Sequence, residues 1–133
     1  MTKKDTKKET KKAPAKKSKK ILIVEDERPL AHALELKFSH EGYDVTIATD
    51  GAEGLKMANA TKYNMILLDL IMPQMDGFTF MEQLKKKSPI IILSNLGQEE
   101  DKERAKKLGA IEYFVKSNTP ITEIIKKVKS SIK

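Results

Sequence analysis

Residues 66–78 read ILLDLIMPQMDGF. With Met65 before it, the run Met65–Leu68 is short, wholly apolar and free of alternation, the pattern of a strand buried on both faces. Asp69 closes that run. Pro73 and Gly77 then mark a loop, and Phe78, Met81 and Leu84 recur at helical spacing, which predicts a helix after it. A strand covered on both faces calls for a parallel sheet with helices on either side.

The same unit repeats in both directions along the chain. Upstream, Ile21–Val24 is another continuous apolar run. Pro29 suits the first turn of a helix, Leu30, Leu34 and Phe38 recur every four residues, and Gly42 is a helix C-terminal signal. Tyr43–Ala48 is strand-like, and Asp50 with Glu53 matches a capping box ahead of a second helix carrying Leu55 and Ala58. Downstream, Pro89 opens the buried-type strand Ile90–Leu93. Gln98–Leu108 is charged and helical, ended by Gly109, and its scarcity of apolar residues predicts the most mobile element. Ile111–Val115 is the last strand. Thr119 and Pro120 are expected as cap and first-turn proline of a helix striped by Ile121, Ile124, Ile125, Val128 and Ile132. Five strands alternate with five helices, which predicts an α/β domain over residues 21–133. After the last helix only Ser131–Lys133 remain, leaving no room for an output domain in this sequence.

Length and composition agree with one domain. The 133 residues are 39% hydrophobic, enough for a core, and contain no Cys, so no disulfide framework or thiolate metal site is expected. No apolar run approaches the roughly 18 residues of a membrane-spanning helix. A cytoplasmic setting is expected. Charge is uneven: residues 1–20 hold ten Lys against Asp5 and Glu9, a net +8, whereas residues 21–133 hold 16 basic and 17 acidic residues, a net −1. Met1, Ala13, Pro14 and Ala15 are the only apolar residues before Ile21, so residues 1–20 are expected to be a disordered Lys-rich tail. Such an arm is either a solvated leader or a weak, salt-sensitive contact to nucleic acid or another anionic surface. No aromatic residue interrupts it, so base stacking is not supported.

Chemistry is expected at the carboxyl ends of the strands, where open parallel sheets bind ligands. Glu25, Asp26 and Glu27 follow the first strand, Asp69 the third, Ser94 the fourth and Lys116 the fifth. Each taken singly is readable as a cap or turn residue. Together they form a set. Clustered carboxylates favour a hard divalent cation, and Mg²⁺ takes one or two carboxylates plus phosphate oxygens. Lys116 supplies a point charge for a phosphate, Ser94 a rotatable hydroxyl, and a carboxylate can attack phosphorus to give an aspartyl phosphate. The set suits phosphoryl transfer to Asp69 better than hydride or acyl chemistry.

With these residues placed, the chain resembles the receiver domain of two-component response regulators, of the single-domain chemotaxis-regulator kind, over roughly residues 20–132. The matching pieces are ILIVEDE at 21–27, ILLDLIMPQMDGF at 66–78, IIILSN at 90–95 and YFVKS at 113–117. The resemblance implies a flavodoxin-like (βα)5 three-layer sandwich with parallel sheet order 2-1-3-4-5, a doubly wound arrangement whose ligand crevice lies at the switch point. It implies Asp69 as phosphoacceptor, with Mg²⁺ held by Asp26 directly, Glu25 through water, Asp69 and the backbone carbonyl of Ile71. Ser94 is then the switch hydroxyl, Lys116 the phosphate-pairing lysine and Tyr113 the switch aromatic. A histidine kinase or phosphotransfer protein is the expected donor, an unknown downstream protein the reader, and Gln98–Lys133 the face that changes. The domain would not be an enzyme beyond assisting its own phosphorylation and slow dephosphorylation. Two departures stand out: Ser117 replaces the usual proline after the lysine, and Asn95 replaces a smaller residue after the switch hydroxyl. Ile71 and Leu96, at the positions that in the family flank the hydrolytic water, are aliphatic, which predicts a long-lived phospho-Asp69.

Other readings have weaker support. An aspartate-nucleophile phosphatase needs an acid two residues after Asp69, where Ile71 stands. His32 and His40 lie in the first helix, and phosphohistidine transfer belongs to helical bundles. A receiver-like binding module with vestigial phosphorylation, acting through the basic tail, is the remaining alternative.

Overall fold

A computed structural model of the chain describes residues 18–132. Residues 1–17, which hold most of the expected Lys-rich tail, lie outside the described residues, as does residue 133. The elements are β1 (Lys20–Val24), α1 (Arg28–His40), β2 (Asp44–Ala48), α2 (Gly51–Ala60), β3 (Met65–Leu68), α3 (Gly77–Gln83), β4 (Ile90–Ser94), α4 (Glu99–Lys107), β5 (Ala110–Val115), a 3₁₀ turn (Lys116–Asn118) and α5 (Ile121–Ser131). All neighbouring strands pair in parallel, in the order β2-β1-β3-β4-β5. This is the flavodoxin-like order expected. The chain runs from β1 outward to β2, then crosses back to β3, so a crevice opens at the carboxyl ends of β1 and β3.

Alternating side chains divide the core between the two faces. Leu22, Val24, Ile66, Leu68 and Ile92 meet Ala58, Phe80 and Ala105 from α2, α3 and α4. Ile21, Ile23, Leu67, Ile91 and Leu93 meet Leu34 and Phe38 of α1 and Ile124 and Val128 of α5. The three central strands are buried along nearly their whole length, the reason they carry no polar alternation. Each fully buried aliphatic side chain contributes about 1.5–3 kcal/mol. Gly42 and Gly109 end α1 and α4 at φ +96° and +111°, where a side chain would be strained. Among the described residues no helix is long and apolar enough to cross a membrane.

Some local expectations are corrected. Pro120 occupies the cap position of α5 rather than its first turn, and Thr119 does not cap it: its hydroxyl donates back to the Val115 carbonyl at 2.8 Å. The 3₁₀ turn after β5 brings Thr119 under its own strand end, which draws the hydroxyl away from the helix. Leu84 lies just beyond α3, with extended ψ of 122°. Asp50 caps α2 by accepting the Glu53 N–H at 2.8 Å, the backbone half of the expected box. In β5 the register shifts: Ile90 pairs with Ala110 but Ile91 with Glu112, so Ile111 is an extra residue and its side chain is half exposed.

Candidate functional site

The strand-end residues meet in the crevice between β1 and β3. The Glu25 N–H donates to the Ala48 carbonyl at 3.0 Å and the Asp69 N–H to the Val24 carbonyl at 3.1 Å, continuing the sheet ladder for one residue beyond each strand. The backbone therefore fixes both acids before their side chains contribute. Glu25 and Asp69 are buried, while Asp26 is exposed at the mouth. One carboxylate oxygen from each of the three lies within 4.8 Å of the others.

Lys116 closes the cluster from the end of β5. Its ammonium donates to Glu25 Oε2 at 2.9 Å, to Asp69 Oδ2 at 3.0 Å and to Glu27 Oε2 at 3.1 Å. The peptide bonds of the described residues are all trans, so Lys116 reaches the acids with a trans link to Ser117. Asp69 Oδ1 accepts the Ile71 N–H at 3.1 Å, and the Gly77 N–H donates to the Leu70 carbonyl at 3.1 Å. These bonds fold the loop after β3 over the acid and put the backbone of Ile71 beside it. Glu25 Oε2 also accepts the Glu27 N–H at 3.0 Å.

The electrostatics follow from burial. Desolvation lifts the Glu25 carboxyl to about 7, against the Lys116 hydrogen bond and the Glu27 N–H that lower it, with the Asp69 charge adding to the rise. Burial alone would lower the Lys116 pKa. Its hydrogen bonds to Glu25 and Asp69 outweigh that and hold the ammonium above the ordinary lysine range. Two buried acids thus share one cation, and Glu25 keeps its proton well above the ordinary glutamate range.

Ser94 is fully buried at the end of β4, next to β3, and its hydroxyl accepts the Leu96 N–H at 3.4 Å. Tyr113 is half-buried on β5, and its hydroxyl donates to the Leu96 carbonyl. Burial, then the charges of Asp101 and Asp69, push the phenol up to about 12, so it remains a donor at neutral pH. One short turn, residues 94–96, is therefore bonded to both side chains expected to switch. Glu27, which had no expected role, is the third acid on Lys116. Its position in the acidic run 25–27 was the available signal. The contact from Asn95 to Ser117 had none.

Oxygen donors in this number suit a hard divalent cation. Glu25, Asp26, Asp69 and the nearby Ile71 backbone fit Mg²⁺ better than a softer metal, and Lys116 supplies the positive charge at the site.

Comparison with known proteins agrees on the family. The profile of the response regulator receiver domain matches residues 21–129. Response regulator ArlR of Staphylococcus saprophyticus is 39% identical over 116 residues, which is 86% of this chain and 52% of that protein. The alkaline phosphatase synthesis transcriptional regulatory protein PhoP of Bacillus subtilis is 36% identical over 119 residues, 87% of this chain and 49% of that one. The chain spans about half the length of these curated relatives. Among solved structures, the receiver domain of Francisella response regulator 1452 superposes with TM-score 0.78 at 32% identity, covering 86% of this chain and 96% of that one. Chemotaxis protein CheY4 of Vibrio cholerae gives 0.77 at 27%, covering 87% and 100%.

Proposed function

The chain belongs to the response regulator receiver domain family of two-component signalling, and from that membership we propose that it is a switch in which Asp69 accepts a phosphoryl group. The observation that carries this reading is the pairing of a buried Asp69 with the Lys116 ammonium at 3.0 Å, inside a cluster of three carboxylates. A carboxylate oxygen of Asp69 forms the new bond to phosphorus, and the bond from phosphorus to the donor's leaving group breaks, the electron pair departing with that group. The donor is a histidine kinase, a phosphotransfer protein or a small acyl phosphate. Glu25, Asp26, Asp69 and the Ile71 carbonyl would hold Mg²⁺, which when bound neutralises charge on the phosphoryl oxygens. Lys116 exchanges a carboxylate for a phosphoryl oxygen, and Ser94 donates its hydroxyl to another.

The readout runs through residues 94–96. Moving the Ser94 hydroxyl shifts Leu96, and the Tyr113 hydroxyl bonded to Leu96 follows. Helix α4 adjoins this turn and buries only Ala105 among its own residues, so it is the element most easily displaced. The face Gln98–Lys133 then docks a downstream protein or passes the phosphoryl group on, in a cytoplasmic setting. The test is intact mass after incubation with acetyl phosphate, with and without Mg²⁺. One Mg²⁺-dependent adduct, lost in Asp69→Asn, is expected. Absence of an adduct on the unmodified chain overturns the reading.

One observation favours a second activity. Lys20, Lys62, Lys85, Lys86, Lys87 and Lys107 are all exposed at the amino edge of the sheet, opposite the acids and beside the point where the Lys-rich segment enters β1. That edge and residues 1–20 would together hold the phosphates of a nucleic acid, without reading its sequence. Binding to duplex DNA at low salt that is lost on deleting residues 1–20 supports this. Unchanged binding of the truncated chain refutes a role for the tail.

A further inference from the structure

Ser94 and Val115 are partners in the β4–β5 register, so Asn95 and Lys116 leave the sheet side by side. The Asn95 side-chain carbonyl, Oδ1, accepts the Ser117 N–H at 3.0 Å. Among the described residues, the remaining hydrogen bonds to this loop's backbone are local: the Thr119 hydroxyl donates to the Val115 carbonyl at 2.8 Å and the Thr119 N–H to the Lys116 carbonyl at 3.4 Å. Beyond the sheet, the Asn95–Ser117 bond is what fastens the backbone behind Lys116 to the segment that carries Ser94.

We propose that Asn95 is a positioning residue for Lys116, and through it for phosphoryl transfer to Asp69. The inference rests on the reading of Asp69 as phosphoacceptor. A lysine stem is flexible, so the aim of its ammonium depends on where the backbone holds its base. Here the tip is held by carboxylates, and Asn95 holds the base. An amide carbonyl does not titrate, so the hold is the same at any pH at which the domain is folded. The link also makes the site mechanically continuous. Asn95 lies between Ser94 and Leu96, so a shift of the Ser94 hydroxyl pulls on Ser117 and moves the loop that carries Lys116. The two departures from the family pattern are thus one arrangement, because a proline at position 117 would have no N–H to donate.

Three measurements test this. Asn95→Ala should slow phosphorylation by acetyl phosphate about fivefold, the factor for one modest hydrogen bond. In a Lys116→Ala background the same substitution should cause no further slowing. Equal slowing in both backgrounds, or none in either, overturns the proposal. Labelling of the Lys116 amine in the unphosphorylated, Mg²⁺-free chain should be faster in Asn95→Ala. Ser117 amide hydrogen exchange should also be faster in Asn95→Ala but stay slow in Asn95→Asp, which keeps the acceptor oxygen. Unchanged labelling and exchange refute the link without any phosphorylation. A chain that takes no phosphate yet shows both changes keeps the link and discards only the phosphoacceptor reading.

Discussion

Gly77 packs against the backbone of Asp69 so closely that a β-carbon built on it would lie 2.6 Å from the Asp69 carbonyl oxygen. The same carbon would lie 2.8 Å from the Leu70 α-carbon. Both neighbours are backbone, so neither can turn aside. Gly77→Ala is expected to destabilise the domain by about 1–3 kcal/mol, the usual cost of overpacking. It should also slow phosphorylation, because relief of the clash moves Asp69. Urea unfolding and the adduct rate measure the two effects, and an unaltered unfolding midpoint contradicts the contact.

Glu25 sets the expected pH dependence. In the folded chain it takes up a proton at about pH 7, against 4.5 for the ordinary glutamate. Between those values the folded state binds more protons than the unfolded one, so stability falls as pH rises through that window and levels off above it. Lys116 is raised above its ordinary 10.5, so its contribution is fully present throughout this window and adds no slope there. Glu25→Gln should remove the slope. Lys116→Met should extend the slope to higher pH and cost about 3 kcal/mol above neutral pH, because two buried carboxylates then face each other without their cation. Urea titrations in chelator across the window give the slopes, and a rise of stability with pH would contradict the assignment.

Arg104 links α4 to α3. Its guanidinium lies 4.2 Å from the centroid of the Phe78 ring, and it meets Glu82 at 3.4 Å. Helix α4 buries only Ala105 among its own residues and rests mainly on β5, and Arg104 ties its outer face to α3. Arg104→Ala should lower stability by about 1 kcal/mol. Amide exchange in α4 should accelerate more than in α1 or α5, and uniform acceleration would show that Arg104 does not act locally.

Ile71 and Leu96 are expected to prolong the life of a phosphorylated Asp69. Ile71 is half exposed beside Asp69, and Leu96 packs partly against the core. Neither side chain can orient a water by hydrogen bonding. Replacing both with polar residues should shorten the life of the phosphorylated form, read as decay of the adduct mass after the donor is removed. An unchanged half-life would show that hydrolysis is limited elsewhere.

The fold was legible because burial on both faces leaves an unmistakable trace. Met65–Leu68 and Ile90–Leu93 carry no polar alternation, and the α5 stripe has one period throughout. The acids were legible because each stands where an apolar run stops. What the sequence did not disclose depends on backbone geometry or on contacts between distant residues. Gln74 adopts φ of +74°, with no glycine to mark the turn. Asn95 meets a residue 22 positions away. Glu27 meets Lys116 across 89 positions. Thr119 and Pro120 looked like a cap and first-turn proline, but the 3₁₀ turn that displaces them follows from how β5 ends against β4.

The extra residue in β5 has a mechanical meaning. Ile111 is the one position in that strand without a partner of its own in β4: Ala110 is matched to Ile90 and Glu112 to Ile91. It lies between helix α4 and the stretch carrying Tyr113 and Lys116. A rigid ladder would force the helix and that stretch to travel together, whereas one unmatched residue is slack in the linkage. The helix has play to slide or pivot while Tyr113 and Val115 stay in gear with Ile92 and Ser94, as a clutch lets one shaft turn before the other.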